Sequence, residues 1–293
     1  MTWWNNRQML QYIWRELDQR FQSRIAGSDR SKTVIDLALD NYLVGEAKDS
    51  SLDTMDLTFR DFATSQLRTF VFAGHDSTSS TICYAFHLLS VHPNARRLLV
   101  AELDEVLGPD HTQVAAQISE NPHLLNQLPY TTAVIKETLR LYPPASSTRS
   151  GKPGHSFPGP NGVQFPTERF YLVWSNVYGI QRDPKYWPEA DKFLPDRWIA
   201  QEGDLLYPPR GVFRPFEFGP RNCIGQELAM LELKIVLATT MQEFNITSVY
   251  DEWDRLHPSK GIKTLDGDRA YQVLFGAAHP SDGLPCRVSL AAR

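Results

Sequence analysis

The stretch from Leu57 to Val91 constrains the fold most. Its apolar residues recur at helical spacing with no proline among them, until His92-Pro93 ends the pattern. At a rise of about 1.5 Å per residue, so long a helix crosses a whole domain, and the other elements must be laid against it. Composition permits that: the 293 residues are 42% hydrophobic and 22% charged, as in an ordinary globular protein able to bury a large core. A net charge of −4 with both signs interspersed offers no basic face to nucleic acid. The three cysteines, Cys83, Cys223 and Cys286, are an odd and sparse set. That argues against a disulfide framework and for a reducing, intracellular setting. No uninterrupted apolar run reaches the roughly eighteen residues of a membrane span.

Around the long helix the pattern is mostly helical. Met9-Leu10, Ile13-Trp14, Leu17 and Phe21 mark an amphipathic first helix, and 33–43 a second, after a polar turn at 27–32 and before a polar connection at 45–56. Pro93 opens a helix that stops at Gly108-Pro109, a weaker helical stretch covers 114–126, and Pro129 opens another that stops before Pro143-Pro144. From 150 to 211, prolines and glycines are dense and short β-type runs such as 169–174 lie between turns. A helix from Gln226 to about Thr240 and short strands at 245–250, 271–275 and 287–290 complete the chain. The expectation is a mainly α protein with small β-sheets, organised as a single domain over 1–293.

Phe216-Glu217-Phe218-Gly219-Pro220-Arg221-Asn222-Cys223-Ile224-Gly225 sets one cysteine in a turn-rich loop just before a helix. Gly219 and Gly225 permit tight turns and close backbone approach. The helix N-terminus and Arg221 both favour negative charge near the sulfur. A thiolate held this way is a metal ligand or a nucleophile, whereas a lone cysteine in such a turn is more often structural. The spacing Phe-x-x-Gly-x-Arg-x-Cys-x-Gly resembles the haem-binding loop of the cytochrome P-450 family, whose cysteine is the axial ligand of haem iron.

Three further motifs extend the resemblance. Within the long helix, Ala73-Gly74-His75-Asp76-Ser77-Thr78 combines a helix-interior glycine with a run of hydroxyls that compete for backbone hydrogen bonds. By itself this reads as a small-residue packing contact or a local groove. Beside the cysteine loop it resembles the family's oxygen-activation motif. That resemblance makes Asp76, Ser77 and Thr78 the proton-delivery groups, with Ala73 and Gly74 leaving dioxygen room above the iron. Ser77 stands where the family usually has threonine, so its rotamer is less restricted. Glu137-Thr138-Leu139-Arg140 puts opposite charges on one helix face. It looks like the family's Glu-x-x-Arg signature, and Phe193-Leu194-Pro195-Asp196-Arg197 supplies its third partner, Arg197. The resemblance makes Glu137, Arg140 and Arg197 a structural triad behind the cysteine loop.

The resemblance implies the C-terminal part of a cytochrome P-450 fold: long central helix, Glu-x-x-Arg helix, cysteine loop and following helix. Its phrasing is most similar to filamentous-fungal members of specialised metabolism. The implied cofactor is haem b (iron protoporphyrin IX), held by Cys223, framed by Phe216, Gly219, Gly225, Ala73 and Gly74, with Arg221 and Arg149 offered to the propionates. The implied reaction inserts one atom of dioxygen into a small lipophilic substrate, with electrons from NADPH through a reductase-type partner. Only about seventy residues precede Ala73, fewer than in the family, so the expectation includes a chain lacking the N-terminal haem contacts and the endoplasmic-reticulum membrane anchor usual in members of this type. The competing readings are a haem enzyme working without external oxygen, which Asp76 and the adjacent hydroxyls argue against, and a catalytically weak remnant. No nucleophile elbow, phosphate-binding loop, dinucleotide fingerprint or Cys-x-x-Cys pair is present.

Overall fold

Helix α1 (Thr2–Ile25) opens the computed structural model, which describes residues 2–27, 32–46, 54–258, 261 and 263–291. Helix α2 (Val34–Glu46) follows, and then α3 (Leu57–Val91), which runs unbroken through 35 residues over the range its periodicity predicts. The polar segments expected at 27–32 and 45–56 lie largely outside the described residues. Two compact units divide the chain, Met1–His75 and Asp76–Arg293.

In the first unit the fourfold spacing of Ile13, Leu17 and Phe21 puts all three on one buried face of α1. Ile13 and Leu17 cluster with Ala63, and Phe21 clusters with Leu39 and Tyr42. Tyr42 stacks on Phe59 with ring centroids 4.1 Å apart. Asp36 is fully buried, and its charge is met by Arg20 at 3.1 Å and by the Thr33 hydroxyl at 2.6 Å and backbone N–H at 3.0 Å. Thr33 and Asp36 thus close the N-terminus of α2 in the manner of a capping box. Helix α2 continues three residues past the expected 43, to Glu46.

The second unit builds one core from the C-terminal half of α3, α4 (Pro93–Leu107), α5 (Val114–Glu120), α6 (Pro129–Leu141) and, later in the chain, α8 (Gln226–Thr240). Leu99, Leu103 and Leu107 of α4 meet Val134, Ile135 and Leu139 of α6 and Leu233 and Leu237 of α8 in this core. The helical stretch expected over 114–126 is split. Pro122 cannot continue α5 and instead opens a 3-10 turn, Pro122–Gln127. Glu102 of α4 closes the next helix from outside, accepting from the backbone N–H of Tyr130 at 2.6 Å and of Thr131 at 2.7 Å.

Among the described residues, four two-stranded antiparallel sheets complete the unit. Strand β1 (Thr148–Ser150) pairs with β4 (Leu172–Trp174), and β2 (His155–Pro158) with β3 (Gln164–Thr167). Past the short helix α7 (Val177–Ile180), β5 (Phe244–Ser248) pairs with β8 (Cys286–Leu290), while β6 (Gln272–Phe275) and β7 (Ala277–Pro280) form a hairpin. The strand read over 169–174 begins only at Leu172, because Phe170 adopts a left-handed φ of 81° in a turn. Tyr250, read as the end of a strand, opens helix α9 (Tyr250–Leu256). The architecture is mainly α with small sheets, and no helix among the described residues is long and apolar enough to cross a membrane.

Candidate active site

Helix α6 buries the side chains that anchor the site. Glu137, Arg140 and Arg197 are each 0% exposed. Arg140 grips the carboxylate with two parallel bonds, Nε to Oε2 at 2.9 Å and Nη2 to Oε1 at 2.8 Å, and Arg197 adds a third at 3.2 Å. The sequence pairing of these residues leaves out two further donors to the same carboxylate. The Leu194 backbone N–H reaches Oε1 at 3.0 Å and the Trp198 indole reaches Oε2 at 3.0 Å. Such saturation is what a buried charge demands. Burial pushes the Arg197 guanidinium below its ordinary pKa, and the Glu137 charge offsets part of that. Arg140 in turn donates to the carbonyls of Gln181, Ala190 and Lys192, at 2.7 to 2.9 Å.

Gln181 links this knot to the cysteine loop, a role sequence reasoning missed because nothing marks an isolated glutamine. It is fully buried, its amide donates to the carbonyls of Leu139 and Arg140 at 3.0 Å, and its oxygen accepts from the Arg214 N–H at 2.7 Å. From Arg214 the chain turns into the loop. Glu217 takes a left-handed φ of 59°, a conformation that costs a non-glycine residue on the order of 1 kcal/mol or more. Its carboxylate is held there by the Ser147 hydroxyl at 2.7 Å. Gly219, at φ 84°, makes the second turn, and the Cys223 N–H closes the loop onto the Phe216 carbonyl at 2.8 Å.

Cys223 emerges free and exposed, three residues before α8, and its carbonyl accepts from the Gln226 N–H at 3.4 Å. Gly225 has an ordinary φ of −89°, and a Cβ there would stand in ordinary van der Waals contact, 3.8 Å from the Cys223 sulfur. Around the thiol the large apolar side chains stay open, with Ile224 87% and Leu228 69% exposed. Phe216 is half-buried and Arg221 exposed. Arg149, on β1, is exposed and donates to the neighbouring Thr148 carbonyl at 2.8 Å. Cys83 is half-buried, held above its ordinary pKa chiefly by burial, and Cys286 is exposed.

The hydroxyl-rich run does not interrupt α3. Ser79 donates back to the Asp76 carbonyl at 3.0 Å and Thr81 to the Ser77 carbonyl at 2.9 Å, so these side chains feed the helix rather than open it. Ala73 and Gly74 are exposed on α3, and a Cβ at Gly74 would meet nothing within 4 Å. Asp76 and Ser77 are half-buried and Thr78 buried. The Asp76 carboxylate accepts from the Ala277 backbone N–H and meets His279 Nε2 at 3.0 Å. The same strand bonds the Pro144 carbonyl through the Ala278 N–H at 2.8 Å. It thereby ties the chain just past α6 to the hairpin. Pro144, Ala145, Ser146 and Ala278 line a cleft of about 1470 Å³, whose wall does not include Cys223 or Asp76.

A single exposed thiol tests well against a haem. Among the described residues no group of three or more His, Cys, Asp or Glu side chains could hold a metal. A metal on Cys223 therefore takes its remaining ligands from elsewhere, and the apolar rim of Ile224 and Leu228 suits a broad, flat, apolar macrocycle. The residues fit the group.

The family model described as Cytochrome P-450 matches residues 5–273. The cytochrome P-450 monooxygenase polC of Polytolypa hystricis is 45% identical over 265 residues, covering 90% of this chain and 47% of the relative. The cytochrome P-450 monooxygenase acrF of Aspergillus aculeatus is 36% identical over 297 residues, covering 94% of this chain and 59% of the relative. The chain thus spans about half the length of these fungal relatives. With the Glu-x-x-Arg knot, the glycine-bounded cysteine loop and a family match over most of its length, the chain belongs to the cytochrome P-450 family.

Proposed function

We propose that the chain provides the thiolate side of a haem-dependent monooxygenase acting on a small lipophilic substrate. The observation that carries this reading is Cys223, free and exposed in a loop that Gln181, Arg214 and the α6 knot hold in place. Bound haem supplies the reductive activation of dioxygen and the insertion of one of its atoms into substrate. The protein's part is ligation, orientation and protons. Cys223 offers its sulfur as the ligand, three residues before the start of α8. Phe216, Gly219 and Gly225 shape the approach to the sulfur, and Arg221 and Arg149 are the cations for the propionates. On α3, Ala73 and Gly74 leave space for dioxygen, while Asp76, Ser77 and Thr78 hold and pass protons. Electrons come from NADPH through a reductase-type partner.

A second reading is a chain that holds haem weakly and turns over little by itself. The exposure of Phe70, Val71 and Phe72 on α3, 42%, 60% and 62%, favours it. Reduction of the haem-loaded protein under carbon monoxide separates the two. The expected result is the strongly red-shifted Soret band of thiolate-ligated haem, lost in Cys223→Ser. A Cys223→Ser protein that kept the band would refute the assignment of the ligand, and failure of the unaltered chain to retain haem would favour the second reading.

A further inference from the structure

Asp76 is the acid that the proposed function charges with proton delivery, yet its carboxylate faces a hairpin some two hundred residues away in sequence. Three bonds tie that hairpin to α3. The Ala277 N–H and His279 Nε2 both reach the Asp76 carboxylate, the latter at 3.0 Å, and the Ser80 hydroxyl donates to the Ala278 carbonyl at 2.5 Å. Two of these anchors, the Ala277 N–H and the Ala278 carbonyl, are backbone groups of β7 that any residue but proline would provide. His279 is the one side chain that β7 sends to Asp76 in these bonds. Antiparallel pairing of Val273 with His279 fixes where that ring stands.

We propose that His279 is a positioning residue for Asp76. Its Nε2–H, with the Ala277 N–H, sets the carboxylate's orientation and so joins the acid to the strand that also bonds Pro144 in the cleft wall. Asp76 and His279 are 20% and 26% exposed. Water therefore reaches the pair, which can be replenished with protons from solvent while remaining ordered by the hairpin. A leucine at 279 removes the imidazole donor from the carboxylate while the Ala277 bond remains. A glutamine restores an N–H donor of similar reach.

This inference rests on the proton-delivery reading of Asp76, and its test separates the two. Without added substrate, oxygen reduced by the haem-loaded enzyme leaves as hydrogen peroxide, consuming one NADPH, or as two waters, consuming two. The second outcome takes four protons and four electrons per dioxygen where the first takes two of each, so it draws more heavily on protons delivered to the site. The measured quantity is the peroxide fraction of consumed oxygen in His279→Leu, His279→Gln, Asp76→Asn and the Asp76→Asn/His279→Leu pair. A second readout, independent of turnover, is a double-mutant cycle of thermal unfolding over Asp76→Asn and His279→Leu.

The expected result is a peroxide fraction in His279→Leu raised toward that of Asp76→Asn, no further rise in the pair, and recovery in His279→Gln. In the unfolding cycle, a partly exposed pair should register a coupling of about 2- to 5-fold in the unfolding constant. Absence of coupling overturns the proposal. So does an unchanged peroxide fraction in His279→Leu when Asp76→Asn raises it. Coupling in the cycle with neither substitution altering the fate of oxygen would show that the proton-delivery reading of Asp76 itself had failed, and the proposed role of His279 with it.

Discussion

Glu137 sits at 0% exposure among donors from Arg140, Arg197, Trp198 and the Leu194 backbone. Taking these ions out of water is costly, and the five donors on the Glu137 carboxylate offset much of it, although Arg197 Nη1 is buried with no hydrogen-bond partner among the described residues. Removing one partner strands the others, at a loss of about 3–5 kcal/mol. Glu137→Ala and Arg140→Ala should therefore each lower the denaturation midpoint severely. The double substitution should add little, because the first has already uncoupled the unit. Equilibrium unfolding of the three variants checks this, and full additivity would show two independent surface-like contributions. The sequence shows the Glu-x-x-Arg pair and Arg197, but Leu194 and Trp198 are invisible in it as partners, since only the folded chain brings their N–H groups to one carboxylate.

At the scale of elements, α6 places the knot, and a side chain of another helix sets where α6 begins. Pro129 and the following residues carry no hydroxyl or carboxylate at the N-cap, where Leu128 stands. Glu102 of α4 fills that role instead, bonding the N–H groups of Tyr130 and Thr131 and the Thr131 hydroxyl at 2.7 Å. A negative group there also meets the positive end of the helix. Glu102→Ala should cost on the order of 1–2 kcal/mol, the upper range for loss of a cap. Glu102→Gln, which still accepts, should cost less. Chemical denaturation ranks the two, and an equal loss would mean that the packing of the stem outweighs its acceptor oxygens.

For the whole molecule, exposed apolar surface is the governing quantity. Ile224, next to Cys223 in sequence, and Leu228 and Leu231 of α8 are 87%, 69% and 42% exposed, and each buried Å² of apolar area is worth roughly 25 cal/mol. A ligand at a hundred times its dissociation constant adds about 2.7 kcal/mol of stability. Haem loading of the chain should therefore raise its melting temperature and displace a fluorescent apolar dye, both less completely in Leu228→Asp. Dye binding unchanged by haem would place the group elsewhere than on this rim.

The long helix, the proline-opened helices and the cysteine loop were legible because their signals are local. Periodicity over Leu57–Val91, Pro93 and Pro129 at helix starts, and the glycine-bounded spacing before Gln226 each act through neighbours in the chain. The boundaries that went astray were overruled by turns. Phe170 takes a left-handed φ that its residue type does not announce, and Pro122, which cannot continue a helix, divides the stretch read as one over 114–126. Tertiary structure alone decided the long-range partners: Gln181 between α6 and the cysteine loop, Glu102 at the start of α6, and His279 with Asp76. These polar groups have no periodicity and no motif. Their partners lie tens to hundreds of residues away, and what selects them is the need of a buried or ordered polar group for a mate once packing has removed the water.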